Sequence, residues 1–340
     1  MRTPICLLVV AAALFILPAA PAQLPATPAS RQVETFQQRN EFQPAFFATN
    51  VPALYPGETS DVGPQSVVEI KPRRTWIEAY ADEQYFYTDN VLLADHNKQG
   101  ANVLVSTIQA AVAPTPFAVC GGQLAPRLGF QQQWFNFGLA DSGTVTVINP
   151  LTGTPQNVNL NTFDFSVSTV FADLTWRRNN WLLTLGADAR WLLDSGNYNQ
   201  FYREFVPRWT IEREFPLTQK TGLAIGYDGD YRDTQTQSPP AGVGENYNDR
   251  TDHSLYVVGS WRLCRYAVLQ PFYRFEYSHY TRVSRDDFLN SFGLALYCPV
   301  TKNVTLRAFV GYDNLNTDGQ FAQNYEMLDA GGGLNLFIRF

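Results

Sequence analysis

From about residue 75 to the end of the chain, apolar and polar residues alternate in segments of about ten to fifteen residues. Side chains of a β-strand point to opposite faces with a period of two, so each segment predicts a strand with one apolar and one polar face. This length suits tilted strands that cross a membrane. The segments number about twelve, and they begin near residues 75, 101, 123, 162, 181, 201, 222, 253, 268, 287, 303 and 325.

The connections between these segments alternate in length. The tight ones are residues 177–180, 216–220, 263–267 and 298–303, and the longer ones lie near residues 140, 233 and 315. Membrane barrels have short turns at one end and longer loops at the other, whereas a soluble β-sandwich requires no such asymmetry. Residues 113–122 are long for a turn, and residues 282–287 are short for a loop. We predict an all-β fold, a transmembrane antiparallel up-and-down β-barrel of about 12 strands over residues 74–340.

The first residues indicate export. Arg2 precedes an apolar run from Ile5 to Leu17, and the small residues Ala20 and Ala22 follow it. This is the pattern of a secretory signal peptide, so we expect residues 1–22 to be removed. Beyond them, no apolar run approaches the roughly 20 residues of a spanning helix, so a membrane role would have to use strands.

Residues 23–73 are rich in Pro, Gln, Ala and Thr and show no sustained period. Repeated prolines block helices and strand ladders, so we predict an extended, Pro-rich periplasmic segment. Two interpretations remain open: the segment is a plain linker, or it is a plug whose aromatic residues dock onto the barrel. The candidate docking residues are Phe36, Phe42, Phe46, Phe47 and Tyr55.

The composition suits membrane strands better than nucleic-acid binding. Charged residues make up 16% of the chain, and 24 Phe, 17 Tyr and 7 Trp are present. Aromatic residues are enriched in strands and at membrane interfaces. The net charge of -6 and the lack of a Lys/Arg run argue against a phosphate-binding surface.

Taken together, the export signal, the alternating strands and the last strand resemble bacterial outer-membrane β-barrel proteins. Within this family, the stretch YFYTDNVLLAD is similar to one found in some β-barrel porins, matching at Asp89, Asn90 and Val91. The resemblance implies a place in the cell outer membrane, in contact with its lipid. It also implies that the barrel-assembly machinery reads the alternate apolar residues at the chain end as its signal. These residues are Phe340, Ile338 and Leu336.

If the apolar faces point outward, the opposite faces line the pore. The predicted pore-lining residues are Glu78, Asp82, Asp188, Arg190, Glu204, Arg208, Asp228, Asp230, Arg274, Glu276, Arg307 and Arg339. Lipid-facing Arg at the midplane would cost roughly 2–4 kcal/mol, so this sorting supports the assigned faces. The mixed charges form either a cross-strand ion-pair network or a polar conduit for solutes. About twelve strands predict a narrow or partly plugged pore.

Two segments do not sort cleanly, the fourth and the tenth. In the fourth, Phe165 and Val167 lie on one parity, whereas Val170, Ala172 and Leu174 lie on the other. This pattern indicates a β-bulge or a register error in the assignment.

Three of the four cysteines, Cys120, Cys264 and Cys298, lie in predicted periplasmic turns. Cys264 precedes the ninth segment and Cys298 follows the tenth, and the periplasm is oxidising, so a disulfide between them is a hypothesis. Cys120 would then remain unpaired.

An enzyme is the rival functional class, because the resemblance implies that some outer-membrane barrels of this size are hydrolases with a site at the rim. His96, His253 and His279 all lie near predicted outer loops, with Asp95 and Asp252 adjacent to the first two. Adjacent strand residues face opposite ways, and no nucleophile is placed beside them. The chain has no CxxC, HExxH, Walker or dinucleotide motif, so we predict no metal or nucleotide cofactor.

We predict a porin-like channel, monomeric or trimeric, through which small polar solutes diffuse passively. Loops near residues 140 and 240 would restrict its outer mouth. Two alternatives remain: a structural or accessory barrel for export of a surface polymer, and a hydrolase with a rim site.

Overall fold

The computed structural model describes residues 26–41, 76–138, 143–148, 155–240, 242–319 and 322–340. The elements are α1 (Ala26–Glu41), β1 (Ile77–Thr88), β2 (Ala101–Val112), β3 (Phe117–Val119), β4 (Gly122–Phe137), β5 (Thr144–Ile148), β6 (Pro155–Asn159), a 3-10 helix (Leu160–Phe163), β7 (Phe165–Arg178), β8 (Trp181–Asp194), β9 (Gln200–Pro216), β10 (Thr221–Thr236), β11 (Arg250–Cys264), β12 (Ala267–Tyr280), β13 (Asp286–Pro299), β14 (Val304–Thr317) and β15 (Tyr325–Arg339). No helix in these ranges is both long and apolar enough to cross a membrane.

In the described ranges, twelve antiparallel strands close into a barrel, and the fold-class prediction is confirmed. The wall consists of β1, β2, β4 and β7–β15 in chain order, and β15 pairs with β1. The Trp76 amide donates to the Phe340 carbonyl at 2.7 Å, and the Phe340 amide donates to the Ile77 carbonyl at 2.9 Å. The last residue is therefore part of the ladder that closes the barrel.

The connections confirm the two predicted ends. Tight turns join β7 to β8, β9 to β10, β11 to β12 and β13 to β14, and longer loops lie at the opposite end. Short turns of membrane barrels face the periplasm, so we term this end periplasmic and the other extracellular. The long connection after β2 contains β3, which forms a hairpin with β4 through Cys120 and Gly121, both at positive φ.

The outer face of the wall is apolar. Its exposed side chains include Ile108, Phe130, Leu185, Ile211, Ile225, Leu255, Phe292 and Leu306. A closed barrel leaves no unpaired strand edge, and an apolar outer face is the one that lipid solvates. The chain is an outer-membrane β-barrel.

Strand β7 corrects the predicted bulge. Its pairings with β4 and β8 run without a register shift from Phe165 onward. Phe165 and Val167 are buried on the lumen side, whereas Val170 and Leu174 are exposed outside. Apolar residues thus lie on both faces of one regular strand. Strand β13, which contains the tenth segment, likewise pairs with β12 and β14 without a shift.

Helix α1 corrects the extended structure predicted for this part of residues 23–73. Pro28 lies in the first turn of the helix, where its missing amide hydrogen breaks no intrahelical bond. Ala29, Val33 and Phe36 follow at a spacing that places them on one face. The rest of the extension, with Phe42, Phe46, Phe47 and Tyr55, lies outside the described residues.

Candidate functional site

Helix α1 lies inside the barrel, with its apolar face against the wall. Ala29, Val33 and Phe36 are 0%, 0% and 2% exposed. The Phe36 ring contacts Phe135 of β4 edge to face at 5.5 Å between centroids, and Phe135 stacks on Phe165 of β7 at 4.7 Å. The inward-facing apolar residues of β7 are therefore the surface that receives the helix. Phe36 therefore packs against the barrel wall, and a plug role for residues 23–73 stays a prediction.

Arg31 anchors the first half of the helix to two strands. Its Nη1 donates to Glu276 Oε1 of β12 at 2.9 Å, and its Nη2 donates to Asp287 Oδ2 of β13 at 3.1 Å. The same guanidinium bonds to Glu34 one turn along the helix at 2.9 Å. Its side chain is 3% exposed, so these charges are shielded from water. Buried pairs of this kind are strongly destabilised when one partner is removed.

Glu34 bonds to two arginines of the wall. Its Oε1 accepts from Arg250 Nη2 of β11 at 2.5 Å and from Arg232 Nη1 of β10 at 3.0 Å. Both arginines also bond to Asp252, at 3.0 Å and 2.7 Å. Burial raises the pKa of Glu34, but the guanidinium groups of Arg232, Arg250 and Arg31 outweigh it and lower that pKa to about 2. The carboxylate is thus held ionised inside the lumen.

The second half of the helix contacts β8, β14 and β15, and it shares Glu276 of β12 with the first half. Arg39 forms an ion pair with Asp329 of β15, and its guanidinium lies over the ring of Phe309 at 4.5 Å. Gln38 Nε2 donates to Glu276 Oε2 at 2.7 Å, and Arg190 Nη2 of β8 donates to Gln37 Oε1 at 2.8 Å. Since Asp329 lies deeper in the barrel than Asp287, the helix runs along the lumen with its first turns near the extracellular end.

Extracellular loops cover these first turns. Gln32 Nε2 donates to the Val91 carbonyl in the loop between β1 and β2 at 2.7 Å. The hairpin of β5 and β6 buries Val145 and Val158 in the same apolar cluster as Val33. These loop contacts therefore help to bury the first half of α1.

All twelve predicted pore-lining residues take part in ion pairs. Glu276 pairs with Arg31 of the helix, and the others pair within the wall. The wall pairs are Arg190 with Glu204 and Asp188, Arg208 with Asp188 at 3.3 Å, Arg274 with Asp228 at 3.1 Å, Arg307 with Asp82 at 3.2 Å, Arg232 with Asp230 at 3.2 Å and Arg339 with Glu78 at 3.6 Å. This supports the ion-pair network, and a pore-lining role stays a prediction.

Two cavities lie in the lumen of the described barrel. A cavity of about 400 Å³ lies against α1 and is lined by Gln37, Gln38, Asp188, Arg208 and Asp228, among others. A larger cavity of about 1480 Å³, which we name the periplasmic vestibule, lies at the end with the tight turns. Its lining includes Arg177, Lys220, Arg262, Arg265 and Lys302. Helix α1 thus lies between the vestibule and the described extracellular loops.

Sequence reasoning missed the three charged helix residues that dominate this site, Arg31, Glu34 and Arg39. A usable signal was present, since Ala29, Val33 and Phe36 follow helical spacing directly after Pro28. Inward-facing Phe165 and Val167 were a second signal. A lumen surface needs apolar side chains only where something apolar packs against it.

The predicted disulfide is wrong. Cys264 pairs with Ala267 of β12, and Val268 of β12 pairs with Tyr297 of β13, so β12 separates the two cysteines. Two strand spacings place the Cα atoms about 10 Å apart. A disulfide requires about 4.4–6.8 Å. Cys120, Cys264 and Cys298 are all free thiols.

The histidines do not converge on one site. His253 faces outward and bonds to the Tyr227 hydroxyl at 2.7 Å, whereas the adjacent Asp252 faces the lumen and its arginines. The other two pair with acids at the rim, His279 with Asp286 at 2.7 Å and His96 with Asp95 at 3.4 Å. Within the described ranges, no group of three or more His, Cys, Asp or Glu could hold a metal ion.

The predicted assembly signal lies on the outer face of β15. Ile338 is opposite Ala79 and Leu336 is opposite Ala81, while Phe340 is 62% exposed. Recognition by the barrel-assembly machinery stays a prediction.

No protein-family model and no curated protein matches the chain. Among solved structures, it is similar to an outer membrane channel from Pseudomonas putida F1, with 10% identity, a TM-score of 0.48 and coverage of 78% of this chain and 96% of the other. It is also similar to a bacterial polysaccharide outer membrane secretin, with 9% identity, a TM-score of 0.44 and coverage of 78% and 99%. The NanC porin gives 12% identity, a TM-score of 0.40 and coverage of 75% and 98%. The barrel assignment itself rests on the strand pairings described above.

Proposed function

We propose that this chain is an outer-membrane channel for small polar solutes, and that helix α1 holds it closed. In this proposal, residues 1–22 are the signal peptide, residues 23–73 form the periplasmic extension that carries the plug, and residues 74–340 form the barrel. The barrel-assembly machinery inserts it, and the loops near residues 140 and 240 narrow its outer mouth.

The observation that carries the proposal is the way α1 is held. In the described residues, the helix forms ion pairs with β10, β11, β12, β13 and β15, all from the lumen side. An α-helix with side chains is about 10–12 Å wide, so it obstructs a barrel of intermediate size. The helix forms no part of the barrel wall, so its removal would leave the hydrogen-bonded ladder of strands closed.

The chemistry of the lumen supports passage of polar solutes. Below the helix, the cavity lining consists largely of charged and amide side chains, and free space remains there. Such a lining can form hydrogen bonds with a polar solute, whereas it offers an apolar solute no comparable contacts. Release of α1 would connect the two ends of the lumen.

The test is single-channel conductance of the refolded protein in a planar bilayer. Val33→Asp introduces an unpaired charge into the buried apolar face of α1 and should release the helix. Thr35→Asp adds the same charge at a partly exposed position whose side chain has no hydrogen bond to the described residues, and it is the matched control. We expect frequent opening steps in Val33→Asp, and rare steps in Thr35→Asp and in the unaltered protein.

Two results would count against the proposal. Equal conductance of all three proteins would show that α1 does not close the pore. Silence of all three, with folding confirmed by heat-modifiable gel mobility, would refute the channel and favour the accessory-barrel or rim-hydrolase alternatives.

A further inference from the structure

The tight turns at the periplasmic end carry only positive charge. Residues 177–180, 217–220, 265–266 and 300–303 each contain Lys or Arg, and none of them contains Asp or Glu. The residues concerned are Arg177, Arg178, Lys220, Arg265 and Lys302. The four turns belong to four separate hairpins around the wall, so their charges surround the periplasmic mouth.

Most of these basic residues line the vestibule instead of facing lipid. Arg177, Lys220, Arg265 and Lys302, one from each turn, border the same cavity of about 1480 Å³. Arg213 shows the contrasting arrangement, since its guanidinium packs on the rings of Trp181 and Phe215 at 5.1 and 5.0 Å. The four turn residues form a ring that we name the basic ring.

The vestibule has more cations than acids to neutralise them. Besides the basic ring, its charged lining residues are Arg208, Arg262, Glu212, Glu214 and Asp228. Arg177 pairs with Glu214 at 3.5 Å, and Arg208 is bonded to Asp173 and Asp188. Among the residues that the structure describes, Lys220, Arg265 and Lys302 have no ion-pair partner. Three cations of the ring therefore remain available to a solute.

The extracellular end has the opposite character. Its exposed acids are Asp95, Asp233, Glu245, Asp318 and Glu326. Its exposed bases in the described loops and strand ends are Lys98, Arg203 and Arg282. Field lines from charges in a low-dielectric cleft are focused into that cleft, so the basic ring concentrates anions in the vestibule.

We infer that the periplasmic vestibule binds anionic solutes through their carboxylate or phosphate groups. This deepens the proposed function and rests on it, because the vestibule is the part of the lumen that a solute from the periplasm enters first. Rings of Lys and Arg favour anions in pores. The charges are exposed, so salt should weaken the attraction.

Binding can be tested without any current. Calorimetric titration of the refolded full-length protein in detergent would use citrate as a small anion and alginate as an acidic polymer. The test variant is Lys220→Glu/Arg265→Glu/Lys302→Glu. Arg178→Glu is the matched control, because Arg178 lies in a turn of the same end but contacts the Cys120 carbonyl instead of lining the vestibule.

We expect citrate or alginate to bind the unaltered protein, with an affinity that falls as salt rises. The affinity of the triple variant for these anions should be lower by about tenfold or more. The affinity of Arg178→Glu should stay within about twofold of that of the unaltered protein. Tighter binding of alginate than of citrate would assign the ring to a polymer, and the reverse would assign it to free small anions. The affinity of Lys220→Gln/Arg265→Gln/Lys302→Gln should lie between those of the unaltered protein and the triple Glu variant. This neutral variant replaces the triple Glu variant in the test if the latter fails to fold.

Three results would overturn the inference: no binding of either anion, equal losses in the triple variant and Arg178→Glu, or a triple variant that loses only binding to phosphatidylglycerol nanodiscs. The last would assign the ring to lipid headgroups. Conductance separates this inference from the proposed function. Anion binding without current in any variant would refute the channel alone, and current with no anion binding would refute the anion site alone.

Discussion

The two halves of the lumen use the same kinds of charged residue in different ways. In the extracellular half, Arg250 and Asp252 are 0% and 3% exposed. Arg250 bonds to Glu34 of the helix and to Asp252 of its own strand. In the periplasmic half, Arg177 and Glu214 are 48% and 47% exposed and only weakly paired at 3.5 Å. Burial converts an ion pair into a structural lock, because an abandoned partner cannot be solvated. Exposure leaves the charge free to attract solutes.

The largest expected effect comes from removing Glu34. In Glu34→Ala, Arg232 and Arg250 lose a shared buried carboxylate, which should weaken seating of α1 by about 3–5 kcal/mol. Hydrogen exchange of the α1 amides, followed by mass spectrometry, should then accelerate by about a hundredfold or more. Thr35→Ala is the control and should leave this exchange unchanged.

A charge swap distinguishes a specific lock from general damage. Glu34→Arg combined with Arg250→Glu restores one opposite pair at the same place and should recover part of the protection. Failure to recover any protection, together with equal loss in Thr35→Ala, would contradict the role given to the Glu34 pairs.

A smaller loss is expected from the apolar face of the helix. Phe36→Ala removes the ring that packs on Phe135, at a cost of about 3 kcal/mol, the low end for a buried aromatic because water in the lumen can enter the void. The same hydrogen-exchange measurement applies. Phe292→Ala, on the lipid-facing side and 50% exposed, is the control and should leave α1 protection intact.

Acid should release the helix, by an intermediate amount. The pKa of Glu34 is lowered to about 2 when it is seated, so its contribution is complete above its ordinary value of 4.5 and is lost as pH falls from there towards 2. By pH 3 the loss is about 2 kcal/mol. Open probability in a planar bilayer should rise over this range.

The carboxylates of Asp252, Glu276 and Asp287 face the same helix, so the share of the acid response that belongs to Glu34 must be isolated. In Glu34→Gln, the rise in open probability between pH 4.5 and pH 3 should become shallower than in the unaltered protein. An identical slope in both would contradict the assignment to Glu34.

The sequence allows the wall to be predicted better than what it contains. Period-two alternation identifies strands and their faces because each residue type depends only on its own environment, water or lipid. All twelve charged residues assigned to the lumen are indeed paired inside the barrel. Helix α1 was not predicted because the repeated prolines of residues 23–73 suggested an extended chain, although Pro28 occupies a first-turn position that a helix tolerates. The inward-facing Phe165 and Val167 suggested a β-bulge, because helix α1, which packs against this surface, lies far away in sequence.

Spacing between strands explains the failure of the disulfide. Cys264 and Cys298 flank one hairpin in the sequence, which suggests proximity. Their places are fixed instead by the intervening strand β12 and its two hydrogen-bonded neighbours. A prediction from connection order alone lacks this lateral distance.

The smallest expected effect returns to the exposed pair. Arg177→Ala removes the partner of Glu214, but both side chains are about half exposed, so water solvates the abandoned carboxylate. The free energy of unfolding should change by at most about 1 kcal/mol, measured by urea titration of the refolded barrel. Hydrogen exchange of α1 should stay unchanged, in contrast to Glu34→Ala. A loss of α1 protection in Arg177→Ala would show that the two halves of the lumen are energetically coupled. Buried pairs that hold the helix and exposed charges that attract solutes could then no longer be treated as separate.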